Sequence, residues 1–219
     1  DKTDAIPLYT NYAAGWTMGA WDDYTGITAT GDAKYRNQEF AHTKDPFSDP
    51  GNGTGAYNVY KVLYDAVADG LTEDDYSTTD WESSKGMLNN GQIGTMVLGS
   101  WAYPQMQGAG DNADDIGYFA FPITVDGKQY SPADEDYCFG INVNSDEANQ
   151  KAAMIFVKWM TEKSGYSYNE GGLPIAVGDD KLPEVYQEFT DNNVEFISNE
   201  PAVEGEEDVL NELNADSEL

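Results

Sequence analysis

The sequence predicts an α/β fold, and three observations carry that prediction. A short helix over residues 81–90 runs through Gly91 into an apolar stretch, 93–98, and that stretch is nearly continuous, as a strand covered on both faces must be. The stretch then breaks into Gly99-Ser100-Trp101-Ala102-Tyr103-Pro104. In α/β proteins the carboxyl ends of strands open into a crevice, and ligand contacts gather there.

Composition bounds the rest. The chain has 219 residues, 40% hydrophobic and 13% aromatic, enough to bury a core. Its 11 basic and 40 acidic residues give a formal charge of −29, which repels nucleic acid and anionic lipid and excludes both as direct partners. A single cysteine, Cys138, rules out an internal disulfide; its aromatic neighbours Tyr137 and Phe139 predict a buried, inert thiol. The lone histidine, His42, is too few for a zinc site or a histidine-based triad, and its polar surroundings place it at the surface. No apolar run reaches the length of a membrane span, and no cofactor motif is present.

Residues 5–27 carry Tyr9, Tyr12, Trp16, Trp21 and Tyr24 among small residues. The spacing of Tyr9, Tyr12 and Trp16 suits a short helix, whose rings either flank a core or wall a ligand. Residues 28–53 read as a polar loop with a short strand near 35–40. A helix follows over 54–68, with Thr54 as cap, Gly70 as stop, and a buried stripe of Ala56, Tyr60, Leu63, Tyr64 and Val67. Asp80 caps the helix over 81–90 after an acidic connection.

Beyond the aromatic strand end, 107–115 form a solvated loop whose aspartates lack calcium-loop register. Strands are predicted at 116–122 and 137–143, with a turn at Asp126-Gly127 between them. Ser145 is expected to cap the longest helix, 146–163, which should bury Ala148, Ala152, Ile155, Phe156, Trp159 and Met160. Residues 166–174 form a glycine-bounded loop; Pro183 opens a helix to about 191, and the acidic tail from Glu204 has a helical pattern.

The chain also resembles a known family. The runs WESSKGMLNNGQIGTMVLGSWAYPQM, IGYFAFP, FGINVNSDEANQKAAMIFVKWMTEKSG and GGLP occur in this order. They resemble the extracellular solute-binding proteins of sugar ABC transporters, the maltose-binding-protein-like family, over residues 8 to 205. The resemblance implies a type II periplasmic-binding-protein-like α/β fold: two lobes with crossing hinge strands, the first lobe incomplete. Residues 1–122 would form the second lobe, 123–205 a return into the first, and 206–219 a helix crossing back. The chain would be an internal piece of a longer extracytoplasmic receptor, either periplasmic or lipid-anchored at the outer face of the bacterial membrane.

That receptor would capture a mono- or oligosaccharide and deliver it to membrane ABC permease subunits, with no cofactor and no chemistry done on the sugar. A sugar needs aromatic platforms for its CH faces, each contributing about 1.5–3 kcal/mol by area, and planar polar groups for its hydroxyls. With 5 Trp and 15 Tyr the chain has the supply. Trp101, with Tyr103 beside it, is the first candidate platform; the alternative is a ring plugging the gap between sheet and helix. Trp16 and Tyr12 come next. Asp136 and Tyr137, in the cluster Asp134-Glu135-Asp136-Tyr137, are either a polar rim or a solvated turn. Asn169 and Glu170 lie beside Gly171-Gly172, where glycine permits close backbone approach. Two alternatives remain: a glycoside hydrolase or carbohydrate-binding module using Asp134 and Asp136, and the same fold binding a cation such as a polyamine.

Overall fold

The computed structural model describes residues 3–135, 137–176, 178 and 181–217. Its sheets are small and parallel, as the α/β prediction requires. β1 (Ile6–Leu8) pairs with β2 (Ile93–Thr95), Ile6 opposite Ile93 and Leu8 opposite Thr95. Pro7 has no N–H for a ladder, but its carbonyl is used: the Thr95 hydroxyl donates to it at 2.7 Å. Gly94 sits opposite because a Cβ there would meet that carbonyl at 2.9 Å.

β2 is half the length predicted. β1 ends at Leu8, so residues 96–98 have no ladder to join, and Leu98 turns into a core cluster with Ala102 and Met106 of α5 (Ala102–Gln107). The second parallel pair, β3 (Tyr130–Pro132) with β4 (Glu195–Ile197), was not predicted; three-residue strands carry too short an alternation to read. The strands predicted at 116–122 and 137–143 are absent among the described residues. The first is an extended connector between two cores, giving Phe121 to one and Tyr118 and Ala120 to the other. Along the second, Phe139 and Val143 face solvent. Cys138 is exposed rather than buried, for the same reason. The turn at Asp126-Gly127 is present, closed by the antiparallel bridge of Val125 and Lys128. Residues 35–42 are helical turns, not a strand.

The first core packs Trp21 of α1 (Thr17–Asp23), Ala29 of α2 (Ile27–Thr30) and Val59 of α3 (Gly55–Ala68) against Phe121 and Ile123. The α3 stripe is rotated from the expected one: Ala56 and Val59 are fully buried, Tyr60 and Leu63 flank them, and Tyr64 and Val67 are exposed. Asp22 lies in this core, 2.7 Å from the Arg36 guanidinium. The second core joins Val185 and Tyr186 to Phe189 of α8 (Gln187–Asp191) and to Val194, with the Phe189 and Phe196 rings stacked at 5.6 Å.

The start of α4 (Trp81–Asn89) falls where the sequence puts it, and that of α6 (Glu147–Glu162) falls one residue later. Asp80 accepts from the Ser83 hydroxyl and amide at the start of α4, and those two bonds, the hydroxyl's first, lower its pKa. The cap of α6 is Asp146, not Ser145: its carboxylate accepts from Asn149 N at 2.9 Å. The stripe expected to be buried on α6 is not; no residue of this helix is buried, and Trp159 is half-exposed. α7 (Tyr166–Asn169) lies in the glycine-bounded loop. The Pro183 segment gives a single tight turn before α8, and the tail forms α9 (Val209–Ser217). His42 is at the surface, 2.8 Å from Glu206. No described helix is long and apolar enough to cross a membrane.

Candidate functional site

Three indoles meet at the carboxyl end of β2. Trp16 and Trp81 touch edge to face, ring centres 5.1 Å apart and planes at 83°. Trp101 lies 5.6 Å from Trp16 and 5.8 Å from Trp81, tilted by 53° and 60°. Each ring arrives on a different element. Trp16 is the residue before α1, Trp81 opens α4 beside its Asp80 cap, and Trp101 precedes α5.

Local contacts fix those arrivals. After β1, the Glu73 carboxylate accepts from the Thr10 amide and hydroxyl, and Asn11 turns the chain in the left-handed region at φ 55°. The Thr79 hydroxyl accepts from Ala13 N at 2.9 Å, which ties the Tyr12–Ala14 turn to the segment leading into α4. Tyr24 donates to the Leu98 carbonyl at 3.0 Å and steadies the strand end; burial pushes its phenol up to about 12. Gly99 is needed because the Trp101 indole folds back over it, so that a Cβ at 99 would lie 2.5 Å from Nε1.

The loop at 165–172 closes on the same strand end. Gly171 has φ +75°, and a Cβ there would meet the Ser100 carbonyl at 2.9 Å. The Tyr186 hydroxyl donates to the Gly171 carbonyl at 2.9 Å. Glu170 and Asn169 are the one and two residues before this contact, which brings their backbone beside Ser100-Trp101.

The candidates therefore divide. Trp16, half-exposed, and Trp101 are brought together, with Asn169 and Glu170 on the adjoining loop. Tyr12 is half-exposed nearby and packs its ring on Tyr76 at 5.3 Å. Tyr103 goes elsewhere. It is two residues along a helical turn from Trp101, so it leaves the opposite side, and its ring packs against the second core while its hydroxyl accepts from Gln107 Nε2. Tyr137 contacts the Tyr166 ring at 6.2 Å. Asp136 lies outside the described residues. Its neighbour Asp134 has both carboxylate oxygens engaged by the Asn199 amide and side chain.

Trp81 and Tyr76 were missed. Trp81 reads as the first residue of an amphipathic helix and Tyr76 as part of an acidic connection. The only signal for either is an aromatic next to a helix cap, which is weak by itself.

The indoles form an open face and do not line either of two larger hollows. One, about 330 Å³, lies by the amino end of β2 among Leu88, Asn90, Ile93, Gly94, Asp115 and Ile116, with no aromatic face. The other, about 350 Å³, lies beside α3 among Phe47, Tyr57, Tyr60, Lys61 and Tyr64, with no carboxylate or amide in its lining. No group of three or more potential metal ligands occurs among the described residues.

Comparison with known proteins agrees with this architecture. A manno-oligosaccharide-specific solute-binding protein from Bifidobacterium animalis subsp. lactis, solved with mannotriose, is 61% identical with a TM-score of 0.91. A second binding protein of an ABC transporter from the same organism, solved with mannobiose, is 60% identical, also with a TM-score of 0.91. Both comparisons cover 100% of this chain and 51% of the other, so the chain spans about half the length of these relatives. No curated protein matches the chain. The family model described as bacterial extracellular solute-binding protein matches residues 1–166, and with these identities it establishes that the chain belongs to that family.

Proposed function

We propose that this chain is part of an extracytoplasmic receptor that captures a manno-oligosaccharide and hands it, unaltered, to the permease subunits of an ABC transporter. The observation that carries this reading is the indole face at the end of β2, beside a glycine-mediated loop contact, in a chain about 60% identical to proteins solved with mannobiose and mannotriose. Trp101 and Trp16 serve as platforms for sugar CH faces. Tyr12, Asn169, Glu170 and Tyr137 supply hydroxyl contacts around them, and Asp136, outside the described residues, stays a candidate on its sequence alone. Tyr103 contributes from behind, by packing α5 in place. Residues 1–122 act as the second lobe and 123–205 as the return into the first, with capture by hinge closure.

A hydrolytic role is disfavoured by Asp134: a carboxylate with both oxygens engaged by Asn199 is poorly placed to move protons. Titration calorimetry with mannobiose and mannotriose on the full-length protein tests the proposal. Binding is expected without release of reducing sugar, and Trp101→Ala should weaken it by about tenfold or more. Absence of saccharide binding alongside tight binding of a polyamine or a peptide would overturn it.

A further inference from the structure

We propose that Trp81 is a positioning residue for the indole face: a buttress that sets the angle between Trp16 and Trp101 and does not itself hold the ligand. This rests on the reading of that face as a saccharide site. The three rings touch pairwise, and Trp81 makes the one edge-to-face contact among them, with Trp16 at 5.1 Å, while lying tilted to Trp101 at 5.8 Å. One of its faces is already taken, because Lys85 Nζ lies 4.8 Å from the ring centre, one helical turn along α4. A face covered by an ammonium cannot stack on a sugar ring. Lys85 is itself held: its side chain is 16% exposed and its Nζ sits 2.9 Å from Glu82. The base of the ring is fixed too. The Asp80 carboxylate caps α4, and the Trp81 carbonyl accepts from the buried Ser84 hydroxyl at 2.8 Å. Trp16 is by contrast half-exposed and directly follows Gly15, and its ring contacts among the described residues are with Trp81 and Trp101.

An edge-to-face contact prefers one orientation, whereas an aliphatic side chain of similar bulk does not. Trp81→Leu should therefore leave α4 folded while freeing the Trp16 ring. Trp81→Phe keeps an aromatic edge and a face for Lys85 and should rescue.

The test uses the full-length protein and two readouts. The first, without ligand, is the exciton couplet that closely spaced indoles give in ultraviolet circular dichroism. Trp81→Leu alone does not separate orientation from simple loss of a chromophore, so Trp16→Phe and Trp101→Phe are measured beside it. Loss of the whole couplet with Trp81→Leu, against partial loss with either of the others, is the expected result. The second readout is mannotriose affinity, expected to fall about tenfold in Trp81→Leu and to return to within about threefold of the parent in Trp81→Phe. Equal affinity in Trp81→Leu and the parent would overturn the proposal, as would failure of Trp81→Phe to rescue in a protein of unchanged melting temperature. If the parent binds no saccharide, it is the site reading that fails, and the couplet still decides whether Trp81 orients the other two rings. If Trp81→Leu does not fold, Lys85→Met, which strips the ammonium from the ring, provides the second variant; it should weaken mannotriose about twofold to fivefold, and no change overturns the buttress.

Discussion

α3 and α6 are the two long helices of the chain, and they have opposite fates. Both show apolar residues at helical spacing. α3 hides Ala56 and Val59 completely, Val59 beneath Trp21, Ala29, Phe121 and Ile123. α6 buries nothing, and Met154, Ile155, Phe156 and Trp159 are 60%, 72%, 55% and 51% exposed. A hydrophobic stripe records that a face is meant to be covered; it does not say which segment covers it. For α3 the cover is within the chain. For α6 no cover occurs among the described residues of a chain that spans 51% of its relatives' length.

The same substitution on each helix gives the sharpest contrast. Val59→Asp places a charge in a site with no solvent access and should cost about 4 kcal/mol or more, enough to unfold the 219-residue chain. Ile155→Asp in the same chain should move stability by less than about 0.5 kcal/mol in urea titration. Similar losses at the two positions would show that the α6 face is covered in solution.

Ion pairs repeat the comparison at smaller scale. Arg36→Met would strand Asp22 in the first core and should cost about 3 kcal/mol, because the carboxylate keeps its burial and loses its partner. Lys151→Met removes an exposed i,i+4 partner of Glu147 on α6, a change of about 0.3 kcal/mol in the same titration.

A further contrast appears as pH rises into alkali. Burial raises the Tyr24 phenol from 10.0 to about 12, so the folded state holds that proton more tightly than the unfolded chain does. The associated stability is present in full below pH 10 and is lost as pH rises from 10.0 to about 12. Tyr24→Phe should flatten this part of the stability profile, while costing about 1 kcal/mol at neutral pH for the lost bond to the Leu98 carbonyl. An unchanged alkaline limb in the variant would assign the loss to other groups.

Legibility in the sequence follows how local each cause is. The start of α4 was readable because Asp80 meets Ser83 three residues away, and the 126–127 turn because its geometry lies within two residues. The strand at 93–98 was readable in kind but not in length, since its end is set by where β1 stops, over eighty residues earlier. Trp16 and Trp101 were legible as unusual aromatics next to chain breaks. Their meeting was not, and neither was Trp81, because nothing short-range brings residues 16, 81 and 101 to one place. Where Tyr103 packs was not legible, because sequence adjacency to Trp101 says nothing of direction once the chain turns helical at Ala102.

Gly171 has a mechanical consequence. A hydrogen atom is all its Cα presents to the Ser100 carbonyl, so there is no slack between the two segments, and Tyr186 clamps the joint from the core side. A pull on the indole at 101 is thus shared at once with residues 165–172. The strand tip and the loop answer a load as one splice, not as a latch and its keeper.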